Sequence, residues 1–146
     1  MSKSRVEVLE GLTVLEPDDW FDITDELPEG TPVTLARRDG VGALQFSFAR
    51  YRAGARPNVV REDLEELMTE FAAVRHLGPV SSRLLKLDHC IAISADFCPD
   101  GDIVRLWYAT NGNDVVFATY TAGEGPRVLE ELERAESIMG SLRFDP

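Results

Sequence analysis

The chain has 146 residues, of which 44% are hydrophobic and 28% charged, and it carries a formal net charge of −11. That length fits one domain with its own core, and no apolar run approaches the ~20 residues needed to span a bilayer. The sign of the charge repels phosphate backbones and argues against a nucleic-acid partner, and the opening residues MSKSRVEVLEGL hold no signal-peptide apolar stretch, so a cytoplasmic protein with no membrane association is expected.

Leu12, Thr13, Val14 and Leu15 read as a short strand ended by Pro17. DDW turns the chain, and Trp20, Phe21 and Ile23 are apolar enough to pack back onto a core. TDELPEGTP is dense in turn residues and reads as a loop. Val33 and Leu35 alternate with Thr34 and Ala36 in a strand that ends at Arg37 and Arg38, and RDGVG makes a hairpin around Asp39-Gly40. The next strand spans 43–51, with Leu44, Phe46 and Phe48 on one face and Ala43, Gln45, Ser47 and Ala49 on the other. The large face seeks a core, while the small face is free to lie under a helix or to make contacts.

Residues 59–75 carry a helical stripe of Val60, Leu64, Leu67, Met68 and Phe71, with Asn58 as the candidate N-cap and Gly78-Pro79 as the stop. Strands follow at 82–87 and 90–97, then the CPDGD turn, a strand at 102–110, the NGND turn and a strand at 115–121. Pro126 sits in the first turn of a last helix, where its missing N–H costs nothing. Val128, Leu132, Ala135 and Met139 share a face of that helix, flanked by Leu129 and Ile138, and Glu130 and Arg134 are spaced as an i,i+4 pair. Gly140 ends the helix, and Leu142 and Phe144 suit a short edge strand. The order predicts an α+β domain with a largely antiparallel sheet and two main helices packed on it.

Two segments, EGLTVLEPDDWFDIT and VVFATYTAGEGPRVLEELERAESIMGSLRF, carry a family likeness. They resemble the fold family that unites the PsbP protein of photosystem II, a eukaryotic Ran-binding import factor and bacterial DcrB-like proteins. In that family an N-terminal strand leads to a Pro-x-x-Trp turn, matched here by Pro17 and Trp20. A Glu-rich last helix then ends in a Ser-Leu/Phe-Arg-Phe-like strand, the place held here by Ser141, Leu142, Arg143 and Phe144. The likeness covers both ends of the chain, and the middle by element order. It implies a PsbP-like α/β/α sandwich and no shared catalytic residues, since the relatives are assembly factors, secretion adaptors and uncharacterised bacterial proteins. The stretch GVGALQFSFARY is also similar to small bacterial proteins of toxin–immunity loci.

The residue types that carry chemistry are thinly spread. Cys90 and Cys98 are eight residues apart, which in one strand is about 26 Å, so buried reduced thiols are expected rather than a disulfide. His76, His89, Cys90 and Cys98 match no zinc spacing. DFCPDGD departs from a calcium loop at Cys98 and Trp107. Ser47, Ser81, Ser82 and Ser94 lie outside any Gly-x-Ser-x-Gly elbow. GVG and GEG fall short of phosphate-binding loops. No catalytic residue, metal or cofactor is assigned, and a non-enzyme is expected.

Charge supplies the candidate site. Seven acids, Glu16, Asp18, Asp19, Asp22, Asp25, Glu26 and Glu29, run without a Lys or Arg among them. They serve either as a solvated loop or as an epitope that speeds encounter with a basic partner. Arg37, Arg38, Arg50, Arg52, Arg56 and Arg61 form the basic counterpart, with Arg50 and Arg52 on one face of the strand if it continues that far. The expected binding residues are Asp18, Asp19, Asp22, Asp25, Glu26, Glu29, Arg50 and Arg52. The expected function is a non-enzymatic cytosolic binding protein, in its most concrete form an immunity-type inhibitor docking a basic toxin. The alternatives are an adaptor or chaperone of a secretion or assembly system, using an apolar groove, and a small-ligand binder or enzyme.

Overall fold

The computed structural model describes residues 3–49 and 58–145. The chain opens with a strand that its sequence did not announce, β1 (Lys3–Leu9), whose exposed, charge-bearing residues hide the alternation. β1 forms an antiparallel hairpin with β2 (Leu12–Pro17). Gly11 takes the left-handed φ of 76° in the tight turn between them. The predicted closing strand is present as β10 (Arg143–Phe144), which pairs with the other edge of β2. The two ends of the chain thus form a three-stranded sheet of their own, beside the single sheet expected.

The remaining strands are β3 (Trp20–Asp22), β4 (Val33–Arg37), β5 (Gly42–Ala49), β6 (Arg83–Leu87), β7 (Cys90–Phe97), β8 (Ile103–Thr110) and β9 (Val115–Ala122). They make a seven-stranded antiparallel sheet in the order β3-β4-β5-β9-β8-β7-β6. The helix α1 (Arg61–Val74) connects β5 to the far edge strand β6, and the meander then returns until β9 lies against β5.

Alternation along the strands divides the apolar residues between two cores. On one face Ile93, Ala95, Leu106 and Tyr108 meet Leu64, Met68 and Ala72 of α1. On the other, Leu44, Phe46, Trp107, Val116 and Tyr120 meet Val128, Leu132, Ala135 and Met139 of α2 (Val128–Gly140). Leu12 and Val14 of the small sheet complete this second core. The fold class is therefore the expected one, an antiparallel sheet flanked by two helices.

Details of the helices differ from the sequence reading. Asn58 does not cap α1; the N-cap is Val60, and its backbone N–H donates to Asp63 Oδ2 at 2.9 Å. The carboxylate at N3 thus reaches back to the N-cap backbone N–H, the half of a capping box that needs no oxygen on the N-cap side chain. Val60 lies exposed at 45% rather than in the stripe. The last helix starts after Pro126, with Arg127 as N-cap. Leu129 is exposed at 75%, while Ile138 is buried. Glu130 reaches Arg37 of β4 at 3.6 Å instead of serving only a partner within its own helix.

Candidate functional site

The acidic run lies at one edge of the large sheet. Glu16 is in β2, Asp18 and Asp19 are in the turn to β3, and Asp22 ends the edge strand β3. Asp25 and Glu26 lie in a 3-10 turn (Thr24–Glu26), and Glu29 follows in the loop. Asp19 and Asp22 make contacts within the fold. Asp19 pairs with Arg37 Nε at 3.1 Å. Asp22 Oδ1 accepts the Thr24 backbone N–H at 2.9 Å and the Thr24 hydroxyl, which pins the 3-10 turn. Asp18, Asp22, Asp25, Glu26 and Glu29 are all exposed. Glu16 is half-buried, and burial together with the charge of Asp22 lifts its carboxyl above the usual value. Like charges crowd this edge.

A cleft of about 520 Å³ opens at the same edge. Phe21, Ile23, Leu27 and Ala36 give it apolar walls, and Glu26, Arg37 and Arg38 line it with charge. Phe21 is not folded into the core as expected. β3 turns Trp20 inward at 1% exposure and leaves Phe21 at 36%, since neighbouring residues of a strand face opposite sides. The Arg38 guanidinium lies 4.7 Å from the centroid of the Phe21 ring, within cation–π range. Of the predicted arginines, Arg37 is held by Asp19 and Glu130, and Arg61 pairs with Glu65 at 3.3 Å. Arg50, Arg52 and Arg56 lie outside the described residues.

A second concavity lies on the α1 side of the sheet. α1 packs on β7 and β8, and a groove of about 460 Å³ opens beside it. Its floor is the small face of β5, Gln45 and Ser47, together with Thr119 and Thr121 of the neighbouring β9. Phe71 of α1, with Arg75 and Leu77 just beyond its end, forms one wall, and Phe117 adjoins Phe71 at 4.8 Å between ring centroids. The β5 half of this floor was legible as a small face. The β9 half was not singled out, because VVFATYTA reads first as a core strand and its second face, Phe117-x-Thr119-x-Thr121, is masked by the first.

The soft ligands are dispersed. Cys90 and Cys98 lie at and just beyond opposite ends of β7 and are free thiols. Neither is buried, contrary to the sequence expectation: Cys98 is exposed and Cys90 half-buried, because each lies where the strand meets a turn. His76 follows α1 and His89 sits in the β6–β7 turn, both exposed and both at positive φ. Among the described residues no group of three or more His, Cys, Asp or Glu is placed to hold a metal ion.

One ionic cluster escaped the sequence reading. Arg105 on β8 forks onto Asp96 of β7, with Nη2 donating to Oδ2 at 2.8 Å, and also donates to Glu136 of α2 at 3.2 Å. Glu136 also accepts the Trp107 indole N–H at 3.2 Å. Asp96 and Arg105 are partners across the β7–β8 ladder, so only the strand register brings them together. This cluster fastens α2 to the sheet.

No family model and no curated protein matches the sequence. Solved structures do match, at identities that speak to fold alone. A structure from Bacteroides thetaiotaomicron VPI-5482 aligns over 100% of this chain with a TM-score of 0.66 and 16% identity, and the chain spans 50% of that protein's length. The cyanobacterial PsbP protein CyanoP from Synechocystis sp. PCC 6803 aligns over 98% of this chain and 92% of its own, with a TM-score of 0.66 and 13% identity. The fold is PsbP-like. A Mog1 E65A mutant aligns over 99% of this chain and 96% of its own, with a TM-score of 0.58 and 11% identity. The likeness inferred from the two ends of the chain thus extends through the middle, and the PsbP-like scaffold leaves function to the surfaces described above.

Proposed function

We propose that the chain is a non-enzymatic binding protein that docks a basic protein partner at the β3 edge of its large sheet. The observation that carries this reading is the coincidence of an apolar cleft with crowded, exposed carboxylates. Phe21 stands partly open to water beside Ile23 and Leu27, and Glu26 lies in the cleft itself. An apolar anchor flanked by exposed carboxylates, with Arg37 held by Asp19 and Arg38 stacked on Phe21, suits a partner that inserts an apolar residue while its Lys or Arg side chains meet Asp18, Asp22, Asp25 and Glu29. Relief of the Glu16–Asp22 repulsion adds to the gain. An immunity-type inhibitor of a basic toxin is the most concrete form of this function.

The test is affinity capture from the native lysate at low and high salt, with each captured protein identified. It is repeated with a variant carrying Asp18→Lys, Asp22→Lys, Asp25→Lys and Glu26→Lys, and with Phe21→Ser. The expected result is a basic protein that is retained at low salt, released at high salt and lost from both variants. Capture that is indifferent to salt and to the charge reversals, or capture of acidic proteins only, overturns the reading.

A further inference from the structure

The lining of the groove beside α1 departs from the acidic composition of the chain. The protein carries 26 acidic residues against 15 basic ones. Among the described residues lining this groove there is no acid at all, and Arg75 is the one charged side chain. Among the described lining residues a ligand meets one positive charge, in a molecule whose net charge is −11.

The lining is divided by function as well as by charge. Phe71 and Phe117 stand 4.8 Å apart with their planes tilted by 52° and offer aromatic surface. The Arg75 guanidinium lies 5.3 Å from the centroid of the Phe71 ring, so the charge adjoins the aromatic wall. Ser47, Thr119 and Thr121 line the floor with hydroxyls, and Gln45 adds an amide, anchored by donation to Thr34 Oγ1 at 3.2 Å. A volume of about 460 Å³ falls in the range of small-molecule pockets, which combine apolar walls with a few placed polar groups.

From this arrangement we infer that the groove binds a small aromatic carboxylate. The ring packs against Phe71 and Phe117, the carboxylate pairs with Arg75, and polar substituents meet the hydroxyls of Ser47, Thr119 and Thr121. Arginine suits this role because its planar guanidinium donates two parallel hydrogen bonds to a carboxylate and stacks on aromatic faces. This site is separate from the protein-docking edge, and neither depends on the other.

The experiment is a titration of the full chain with 2-naphthoate, followed by amide chemical shifts, with 2-naphthylmethanol as the uncharged control. The expected result is saturable shifts centred on Ser47, Phe117, Thr119 and Thr121. The alcohol and the Arg75→Gln variant should each bind about tenfold more weakly, the weight of one charge-assisted hydrogen bond. Arg75 is exposed at the end of α1, so R75Q should fold, which its unchanged shifts outside the groove will verify. Three outcomes overturn the inference. They are the absence of saturable shifts in the groove, equal binding of acid and alcohol, and shifts that gather instead at the basic cleft of Lys3, Arg5 and Arg143.

Discussion

The Tyr120 hydroxyl donates a hydrogen bond at 3.0 Å to Oε1 of Glu131, a glutamate with 0% exposure. The same carboxyl group accepts the backbone N–H of Gly42 at 2.8 Å and that of Val41 at 3.1 Å. One side chain of α2 therefore holds the β4–β5 hairpin and the central strand β9 together. A buried acid is costly unless its oxygens are filled, and here three donors fill them. Truncation to Glu131→Ala leaves those donors in a dry site. It is expected to destabilise the fold by about 3 kcal/mol or more, read as a drop in the urea midpoint at constant slope. A loss below about 1 kcal/mol would mean that water reaches the site.

The hairpin is built around that carboxyl. A Cβ on Gly42 would stand 2.6 Å from the Tyr120 hydroxyl oxygen and 2.6 Å from the Thr121 carbonyl oxygen, and one on Gly40 would stand 2.9 Å from Glu131 Oε2. Gly42→Ala should cost about 1–3 kcal/mol from overpacking, and the double variant Gly42→Ala, Tyr120→Phe should recover part of it. No recovery in the double variant would show that the limit is set by the Thr121 carbonyl and the Tyr120 ring carbon Cζ, also 2.6 Å away and kept by Phe, and not by the hydroxyl.

Burial and the charge of Glu70 push the Tyr108 hydroxyl up to about 12 from an ordinary 10.0. Tyr120 is raised too, by burial first and then by Glu131. In the unfolded chain these phenols ionise near 10, whereas the folded protein keeps them neutral, so the unfolded state gains as pH rises above that value. Stability is expected to fall between pH 10.0 and about 12, by roughly 2–3 kcal/mol for Tyr108. Tyr108→Phe should flatten this part of the profile while keeping the ring against Phe117. Phenolate absorbance against pH reads the same groups directly. A Tyr108 signal that titrates near 10 would refute the burial argument.

The contrast between these sites shows what was legible in the sequence. Alternation announced β5, β8 and β9, and the 3.6-residue stripe announced Leu64 and Met68, because their apolar faces have a period. Pro17 and Trp20, with the Ser-Leu-Arg-Phe ending, pointed to the right fold although overall identity to its known members is low. Glu131 was invisible, because within Glu-rich α2 it looks like its solvated neighbours, and only the hairpin folding over it makes it internal. The Asp96–Arg105 pair was hidden for a similar reason, since strand register and not sequence spacing creates it. The acidic run was legible as charge, but the engagement of Asp19 by Arg37 and the exposure of Asp22, Asp25 and Glu29 needed coordinates.

The two shifted acids should give opposite pH responses. Burial alone would raise Asp96, but the hydrogen bond and charge of Arg105, together with Arg83, outweigh it and hold the carboxyl below its ordinary 3.8. Its stabilising contribution is present above that value and is lost as pH falls through the lower folded one. Glu16 is raised above 4.5, so its ionised form costs stability, and acidification through that range relieves the cost. Urea midpoints measured downward from pH ~6 should therefore fall less steeply for Asp96→Asn than for the parent. Glu16→Gln should remove a small gain at the upper end of the range. Superimposable profiles for all three proteins would remove both assignments.

The thiols offer a last check on how the ends of β7 are placed. Burial and the nearby Asp88 charge raise the Cys90 thiol above its ordinary 9.0, which depletes its thiolate near neutral pH. Cys98 stands exposed beyond the other end of the strand. Because the thiolate is the reacting species and must also be reached, a disulfide reagent should modify the protein in two phases. The fast phase belongs to Cys98 and the slow one to Cys90. Cys98→Ser should leave only the slow phase, and Asp88→Asn should accelerate that phase by removing the repelling charge. A single fast phase of two equivalents would place Cys90 in solvent and refute the half-buried start of β7. An Asp88→Asn variant with an unchanged slow rate would assign the slowness to access alone, separating the two causes that burial and charge here combine.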